Sequence, residues 1–475
     1  MRNFLRSIGG LSLLAALFAA PSGCGGEQEP TGCPETDEIR GQCAGVPQAA
    51  VCAGDTCTSG VDCAETVTVA DDASLEAALA SATAGTCVAL APGSYGAVSL
   101  PGGVSLLGRS AESVSVQGLT LAPGAGAVVR GITVGGGGIE VQSDGAARIE
   151  SVRVSGASAA GIDVAEGASV TLVTSTIEGS ARHGVAVADG AMVTMENTLL
   201  QDNDGPGLWA ACSTDCDCAA PPDVVLKSSI VRDNHIGGIV LFGAAASLES
   251  VDVTGTLVGD DWSYGLGGGG ITAAACSDLT AKDLRVSASQ SYGVLVDDSA
   301  ATIGDPGGEP GVEITGNVVG LWAQHISQSA PQTVTLDGVA LDGNAGVGLG
   351  ADGDTVGLIV CKTAITGTSF ADLAVEGFGT QQVGDGLLWL GGSEIVIDSL
   401  SVGGSARASV LIDGEASGSM SNVTLGDGDE TKGVVQQSYT GGSQPQAGAN
   451  APAITTSADG LFAIPDAPIA VPRNL

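Results

Sequence analysis

The chain has 475 residues, of which 75 are glycine, while only 3% are aromatic and 15% are charged. Acidic side chains (53) far outnumber basic ones (16), which gives a net charge of −37. Proteins that bind nucleic acid need a basic surface, so this composition excludes that class. It favours a soluble protein that binds divalent cations loosely.

The first 24 residues read as an export signal. Two basic residues are followed by an apolar run from Ile8 to Ala20 and by Pro21-Ser22-Gly23-Cys24, and the run is too short to cross a bilayer as a helix. A cysteine directly after Ser-Gly resembles the lipobox of bacterial lipoproteins, which implies that Cys24 is lipidated and becomes the mature N-terminus. The alternative is an ordinary secretory signal. We therefore expect a membrane-attached protein of the cell envelope, at the outer membrane or cell surface.

Residues 25–63 are rich in Gly, Pro, Glu and Thr, and we interpret them as a cysteine-rich tether or a small disulfide-stapled unit. No histidine lies nearby, and an exported protein meets an oxidising compartment, so disulfides are favoured over zinc. Proximity in the sequence pairs Cys63 with Cys87. It also predicts two local bridges among Cys33, Cys43, Cys52 and Cys57, and two more among Cys212, Cys216, Cys218 and Cys276. Cys361 is left as a buried free thiol.

From Gly161 to Leu349 one short phrase recurs, in which a glycine is followed by alternating apolar residues. The phrases begin at Gly161, Gly184, Gly207, Gly238, Gly270, Gly293, Gly320 and Gly348. Several steps are 23 residues long (161 to 184, 184 to 207, 270 to 293), and the others are longer. A constant step with additions indicates one unit stacked on itself, with the additions as loops.

Each step holds a second alternating run, so we predict two short strands per step and no helix. The turn four residues before the glycine reads Ser180, Asn203, Asn234, Ser289 and Asn344. Such side chains bond backbone groups in turns and can stack as a ladder between coils. The pattern predicts an all-β, single-stranded parallel β-helix.

The chain before the repeats predicts a strand at Thr66–Val69, a short helix from Ser74 to Ala80 and a Pro92-Gly93-Ser94-Tyr95 turn. This opening resembles that of pectin-lyase-like right-handed β-helix proteins, in which a helix caps the open end of the stack. The resemblance covers roughly residues 66–430. It implies a right-handed solenoid with an N-terminal capping helix, and it is shared by lyases, hydrolases, epimerases and non-enzymatic surface proteins.

We place the β-helix at residues 64–435. A low-complexity tail follows at residues 436–475, with one docking strand at Leu461–Ile464.

No complete catalytic set is found. Hydrolases of this resemblance use an aspartate pair, a further aspartate and a glycine-flanked histidine. Here Asp260-Asp261 and His183-Gly184 lie about three coils apart, roughly 14 Å, whereas carboxylate pairs act within about 10 Å. The lysines form no cluster that would supply the base of a lyase, and the epimerase motif is absent.

One corner is rich in possible metal ligands. Asp202 and Asp233 share a register on neighbouring coils, as do Asp204 and His235, and such residues lie about 5 Å apart. Carboxylates that close favour a bound cation, so calcium is a candidate ligand. The alternative is ordinary turn chemistry, because Asp and Asn are common at corners.

The residue two after each glycine should point outward from the coil. Trp209, Val240, Leu295 and Trp322 occupy that position, and the two tryptophans would lie about 19 Å apart. They either form an exposed stripe that binds a polysaccharide or are covered by neighbouring loops and the C-terminal tail.

The function predicted is a lipid-anchored, non-enzymatic cell-envelope protein, monomeric and without a resident cofactor, which binds glycans or surface proteins. A polysaccharide lyase or glycoside hydrolase is the alternative.

Overall fold

The computed structural model describes residues 37–39, 42–46, 58, 60–259, 267–305, 311–325, 332–353, 356–375, 379–426 and 433–465. Within them, the chain winds through three stacks of parallel strands, once per coil, in the order A, B, C. No helix among these residues has the length and apolar character needed to cross a membrane.

Stack A carries the glycine phrases. Its strands are Gly93–Leu100, Val114–Leu121, Ile139–Val141, Ile162–Val164, Val185–Val187, Leu208–Ala211, Gly237–Phe242, Gly269–Ala274, Tyr292–Asp297, Val319–Gln324, Val347–Asp352, Asp385–Leu390, Val410–Asp413, Val434–Gln437 and Ile454–Thr456.

Stack B follows stack A in each coil, and stack C contains the shortest strands. Stack B consists of Glu65–Val69, Thr86–Leu90, Ser105–Leu107, Gly124–Arg130, Gly145–Glu150, Ser169–Val173, Met192–Glu196, Asp223–Arg232, Ala245–Thr254, Asp278–Ser287, Ala300–Gly304, Gln332–Asp337, Val356–Thr366, Glu394–Gly403, Ser417–Leu425 and Gln446–Ala447. Stack C consists of Thr133–Val134, Arg153–Ser155, Thr176–Glu178, Leu199–Gln201, Val312–Thr315 and Val339–Asp342. It also includes the second halves of the long strands of stack B and the first halves of Gly93–Leu100 and Val114–Leu121.

Each coil therefore has three strand segments, where the sequence predicted two. A single residue with positive φ divides the second run, for example Thr174 (48°), Asn197 (50°) or Ser228 (45°). Because one left-handed residue turns the chain without breaking the apolar alternation, the corner is invisible to a periodicity argument.

The interior of the coil is a continuous column of stacked aliphatic side chains. In one coil, Ile162 and Val164 point inward and Asp163 points outward, as alternation along a strand requires. β-Branched residues suit this pleated, buried surface, and the wide use of Val and Ile follows from it.

The corner between stacks C and A contains the predicted ladder. Asn203 Nδ2 donates to Asn234 Oδ1 at 2.7 Å, and Asn317 Nδ2 donates to Asn344 Oδ1 at 3.1 Å. The same oxygens accept backbone N–H groups of the preceding coil, as when Asn317 N donates to Asn344 Oδ1 at 3.0 Å. In the coil before, Ser289 N donates to Asn317 Oδ1 at 2.9 Å. These side chains are buried, so the ladder satisfies backbone groups that water cannot reach.

The N-terminal end of the stack is capped by the helix Asp72–Ser81. Asp71 is its N-cap and accepts from Ser74 N at 2.8 Å, which starts the helix two residues before the predicted position. Leu75 and Ala78 are buried within the interior cluster, so the helix closes the open core as predicted.

The disulfides Cys63–Cys87, Cys212–Cys218 and Cys216–Cys276 are present, and Cys43 is also disulfide-bonded. Cys33, Cys52 and Cys57 lie outside the described residues. Among the described residues, Cys361 is the free cysteine, but it is half-buried rather than buried. Its neighbours Leu358 and Val360 take the inward positions, so the thiol points outward.

The segment predicted as a tether is partly docked on the coils. Asp37–Ile39 and Gln42–Ala44 form an antiparallel hairpin, and Ala44 packs against Leu199 and Ile230. Gly45 N donates to Asn197 O at 2.7 Å, and Val46 N donates to Thr176 Oγ1 at 2.9 Å.

The coils also continue beyond residue 435, because Gln446–Ala447 and Ile454–Thr456 pair with the stacks, so the tail predicted from residue 436 begins too early.

Candidate functional site

Strands of stack A present one outward side chain per coil in exact pairing with the next coil, and we call this series the outward row. It consists of Thr120, Glu140, Asp163, Ala186, Trp209, Val240, Thr272, Leu295, Trp322, Gly350, Leu388, Leu411 and Val435. The row changes character at Trp209. Before it the positions are polar or small and open to solvent, and after it they are mostly apolar and buried.

The exposed-stripe interpretation is wrong. Trp322 is 1% exposed and Trp209 7%, while Val240 and Leu295 are fully buried. The side chains do point out of the coil, because they belong to clusters separate from the interior column. They are covered, as the second interpretation held.

The cover over Leu295 and Trp322 comes from the chain itself. An antiparallel hairpin, Ala371–Val375 with Gly379–Val383, contributes Leu373 and Val383 to their cluster, and the tail contributes Phe462 and Ile464. A Cβ at Gly350 would lie 2.2 Å from the Trp322 ring, so the absence of a side chain there lets the indole lie flat over the next coil.

The tail is held by a buried ion pair rather than by the predicted docking strand at Leu461–Ile464. Arg407 Nε donates to Asp385 Oδ1 at 2.9 Å, Arg407 Nη1 donates to Ala463 O at 2.7 Å, and the guanidinium lies over the Phe462 ring. Burial raises the pKa of Asp385, and the hydrogen bonds from Arg407 oppose that shift. The pair fixes the cover over the apolar half of the outward row.

The open half of the row contains a cleft of ≈ 300 Å³. Its floor is made of small residues, with Ala186 in the outward row and Ala159 and Ala160 in a neighbouring turn. Its polar lining comes from Asp163, Arg182 and His183, and Trp209 closes the end toward the covered half. We call this cavity the open cleft.

His183 is the least expected group in the open cleft. Its ring stacks on Trp209 with centroids 5.3 Å apart and planes 14° from parallel. The Phe242 ring also contacts Trp209, at 5.3 Å and tilted by 51°. The side chain is 8% exposed, and its Nδ1 is buried without a hydrogen-bond partner among the residues that the structure describes. Burial, and then the charge of Arg182, lower the pKa of His183 to about 4, so the ring is neutral at physiological pH.

Asp163 stands beside a second carboxylate. Glu140 is its partner on the adjacent strand, and both side chains are exposed on the outer face. Desolvation raises the pKa of Asp163, the Glu140 charge raises it further, and Arg182 acts in the opposite direction. The open cleft thus combines a neutral imidazole, a guanidinium and the Asp163 carboxylate, which can all hydrogen-bond to a ligand, and Glu140 stands on the adjacent coil next to Asp163.

The predicted calcium ligands do not contribute to this site. Asp202 and Asp233 are exposed with φ values of 54° and 52°, at a turn position that other coils fill with glycine, such as Gly316 and Gly343. Their role in the fold is therefore that of turn residues. Asp204 is exposed, and His235 N donates to Asn203 O at 2.9 Å in the corner. Calcium binding there stays a prediction that this geometry does not strengthen.

Among the described residues, the set of three potential metal ligands close together is Asp189, Cys212 and Cys218. The two cysteines are bonded to each other, so the set has no free thiolate. Asp260 and Asp261 lie outside the described residues, as does Cys24.

Sequence reasoning used His183 only as a fragment of a hydrolase set and did not join it to Asp163 and Arg182. The sequence does contain a signal for this site, because the acidic residues Glu140 and Asp163 precede the apolar residues of the outward row.

The fold is a right-handed parallel β-helix, and the resemblance to pectin-lyase-like proteins is confirmed at that level. Residues 103–268 match the family model described as "Right handed beta helix region". No curated protein matches the sequence.

Solved structures with a similar fold include the catalytic unit of a GH87 alpha-1,3-glucanase from Streptomyces thermodiastaticus, at 14% identity and a TM-score of 0.48, covering 88% of this chain and 73% of that one. The mannuronan C-5 epimerase A-module from Azotobacter vinelandii is 16% identical with a TM-score of 0.37, covering 82% and 96%. The structure of the Vag8–C1 inhibitor complex is 14% identical with a TM-score of 0.43, and the match covers 82% of this chain and 93% of that one. Scores at this level carry no argument about activity.

Proposed function

We propose that this protein is a monomeric, lipid-anchored component of the cell envelope that binds glycans at the open cleft without cleaving them. One observation carries the proposal. The chain covers the apolar outward positions from Leu295 to Leu411 with its own hairpin and tail, yet leaves a polar cleft open to solvent on earlier coils of the same row. The cleft places an aromatic ring, Trp209, beside the polar side chains of Asp163, Arg182 and His183, which is a combination that suits a sugar.

The geometry suits a chain ligand that runs parallel to the stack. Outward positions follow one another at the strand spacing of ~4.8 Å, which is close to the length of one sugar ring unit. Asp163, Glu140 and Arg182 offer acceptors and donors for sugar hydroxyl groups. The volume lies at the lower end of the range for small-ligand sites, which fits a few sugar rings.

Retention on a panel of immobilised neutral, acidic and amino polysaccharides tests the proposal. Ala186→Gln places a longer side chain on the floor of the open cleft and should reduce retention about tenfold. Thr455→Gln is the matched control, because Thr455 pairs with Val435 at the far end of the same stack and is exposed. If both Ala186→Gln and Thr455→Gln leave retention unchanged, any polysaccharide binding occurs outside the open cleft.

Glycoside hydrolysis is the second candidate, and the Glu140–Asp163 pair favours it. Neighbouring carboxylates of which one has a raised pKa are what an acid–nucleophile pair requires. Incubation with the retained polysaccharides should release no new reducing ends if the protein only binds. If the native protein releases reducing ends and Asp163→Asn abolishes that release, hydrolysis replaces binding as the proposed function.

The lipid anchor at Cys24 is supported by the sequence alone, through the Ser22-Gly23-Cys24 motif. Failure of the protein to be retained on any polysaccharide of the panel would favour a surface protein as the partner.

A further inference from the structure

Residues 461–464, which we call the tail segment, cross the far end of the outward row and lie outside the strands of the coils. Phe462 and Ile464 pack against the covered cluster that contains Leu388 and Leu411. Those two leucines are fully buried beneath the cover. Alternate residues of the tail segment therefore insert their side chains into one apolar groove, which is the period of an extended chain.

Buried polar side chains bond the backbone of the tail segment. Gln437 Oε1 accepts from Leu461 N at 2.9 Å and from Phe462 N at 2.7 Å, and Gln437 Nε2 donates to Phe462 O at 2.9 Å. Arg407 Nη1 donates to Ala463 O at 2.7 Å. Gln437 is 1% exposed, and the Arg407 side chain is 7% exposed. These hydrogen bonds depend on the backbone and not on which side chains the tail segment carries.

The two side chains are held in position by the coils beneath them. Gln437 Nε2 also donates to Asp413 Oδ1 at 2.9 Å, and Arg407 Nε donates to Asp385 Oδ1 at 2.9 Å. Because the coils fix both groups, a peptide that enters the groove does not have to order them. A groove that bonds backbone groups and takes alternate side chains in apolar positions is suited to an extended peptide.

The tail segment can leave the groove without unwinding a coil. It follows Thr456, the end of the last strand among the described residues. Leu461 is 54% exposed, and residues 462–464 are only partly buried. Segments near a chain end with few buried contacts open locally at a lower cost in free energy than core strands do. The chain therefore occupies this groove with a segment that it can also withdraw.

We infer that the groove is a docking site for a partner protein and that the tail segment is its built-in competitor. The partner supplies an extended segment in which an aromatic residue is followed two positions later by a branched aliphatic one, as in Phe462 and Ile464. Arg407 favours an aromatic ring there, because its guanidinium lies 5.4 Å from the Phe462 centroid. The inference goes beyond glycan binding and does not depend on the open cleft.

A fluorescent peptide with the sequence of residues 459–465 is the probe, and its anisotropy measures binding to the whole mature protein. A tethered segment acts at a local concentration on the order of millimolar, so the native protein should bind the free peptide weakly. Phe462→Ala removes the ring that anchors the tail segment and should tighten peptide binding about tenfold. Leu461→Ala is the matched control, because that side chain is 54% exposed, and it should leave the affinity at the native value.

Two further measurements locate the peptide. A peptide with alanine in place of its phenylalanine and isoleucine should not bind the Phe462→Ala protein. Hydrogen exchange of the native protein tests the inference even if Phe462→Ala fails to fold. Amides of the tail segment should exchange faster than those of the strand Val410–Asp413, and faster still with excess peptide, which displaces the tail.

Three results would overturn the inference. Equal peptide binding by the native, Leu461→Ala and Phe462→Ala proteins would place the peptide outside the groove. No binding to a folded Phe462→Ala protein, or tail exchange as slow as that of Val410–Asp413, would leave the tail segment as a fixed cover. Dimers of Phe462→Ala that ignore the peptide would make a second copy, and not a partner protein, the occupant of the groove. Polysaccharide retention is unaffected by any of these results and tests the open cleft separately.

Discussion

The outward row shows how one residue type per coil decides what a face of the β-helix does. Ala186 is small and leaves room above it, so the open cleft forms there. Trp322 is large and apolar, and its coil is covered. Gly350, between Trp322 and Leu388, is the position that lets the indole lie flat. Positions in the same register thus serve opposite purposes on different coils.

Because His183 is a buried titratable ring, it should make the free energy of unfolding depend on pH. The folded pKa is about 4, against about 6.5 for an exposed histidine, so the unfolded state binds a proton first as the pH falls. This contribution to stability is fully present above pH ~6.5 and is lost as the pH falls toward ~4. The full loss is about 3 kcal/mol, or some two and a half pKa units at ~1.36 kcal/mol each.

Urea unfolding of the native protein and of His183→Phe at a series of pH values measures this loss. The free energy of unfolding should fall more steeply with acid in the native protein, by about 3 kcal/mol over the window. Phenylalanine preserves the ring against Trp209, so the comparison isolates the titration. Parallel pH profiles for the two proteins would contradict the buried, neutral state of His183.

The corner ladder is the element that holds successive coils in register. Asn317→Ala removes the acceptor for Ser289 N and the donor to Asn344 Oδ1, and it leaves a buried N–H unsatisfied. We expect the free energy of unfolding to fall by about 1–3 kcal/mol in chemical denaturation. Asn344→Ala completes a double-mutant cycle, because Asn344 Oδ1 accepts from Asn317 Nδ2 at 3.1 Å. A loss in the double variant that equals the sum of the two single losses would argue against the ladder.

The cover over stack A is a second element whose contribution can be measured. Trp322→Ala removes an indole that is 1% exposed within the covered cluster and should lower the free energy of unfolding by roughly 3–5 kcal/mol. Phe370→Ala is the matched control, because that ring is 52% exposed and should change stability by less than about 0.5 kcal/mol. Similar effects of both changes would mean that the cover does not form in solution.

The sequence predicted the coils and the capping helix because both depend on local signals. Glycine spacing, alternation and the Asn203 and Asn234 turn positions each report on neighbouring coils. The third strand segment was missed because a single left-handed residue such as Asn197 leaves the alternation intact.

The cover was undetermined from sequence because alternation says which way Trp322 points and not what lies above it. Leu373 and Phe462 reach the cluster from about 50 and 140 positions further along the chain (322 to 373, 322 to 462). The open cleft was missed for the same reason. It is the part of the outward row that those distant segments do not reach, and only the packed structure shows where they stop.

For the whole molecule, attachment to a membrane is the prediction that governs location. Cys24→Ser should move the protein from the membrane fraction to the soluble fraction, because a lipidated cysteine is the proposed anchor. Immunoblots of both fractions measure the shift. Cys361→Ser is a suitable control, since it removes a half-buried thiol elsewhere in the chain. Retention of the Cys24→Ser protein in the membrane would contradict the lipoprotein interpretation.

The docked hairpin at Asp37–Ala44 also determines how mechanical load enters the molecule. A pull on the N-terminus meets the contacts of Gly45 with Asn197 and of Val46 with Thr176 before it reaches the capping helix at Asp72. Those contacts are few compared with the hydrogen bonds that join successive coils. Under tension the docked segment should peel away first and lengthen the N-terminal region, while the coils remain wound.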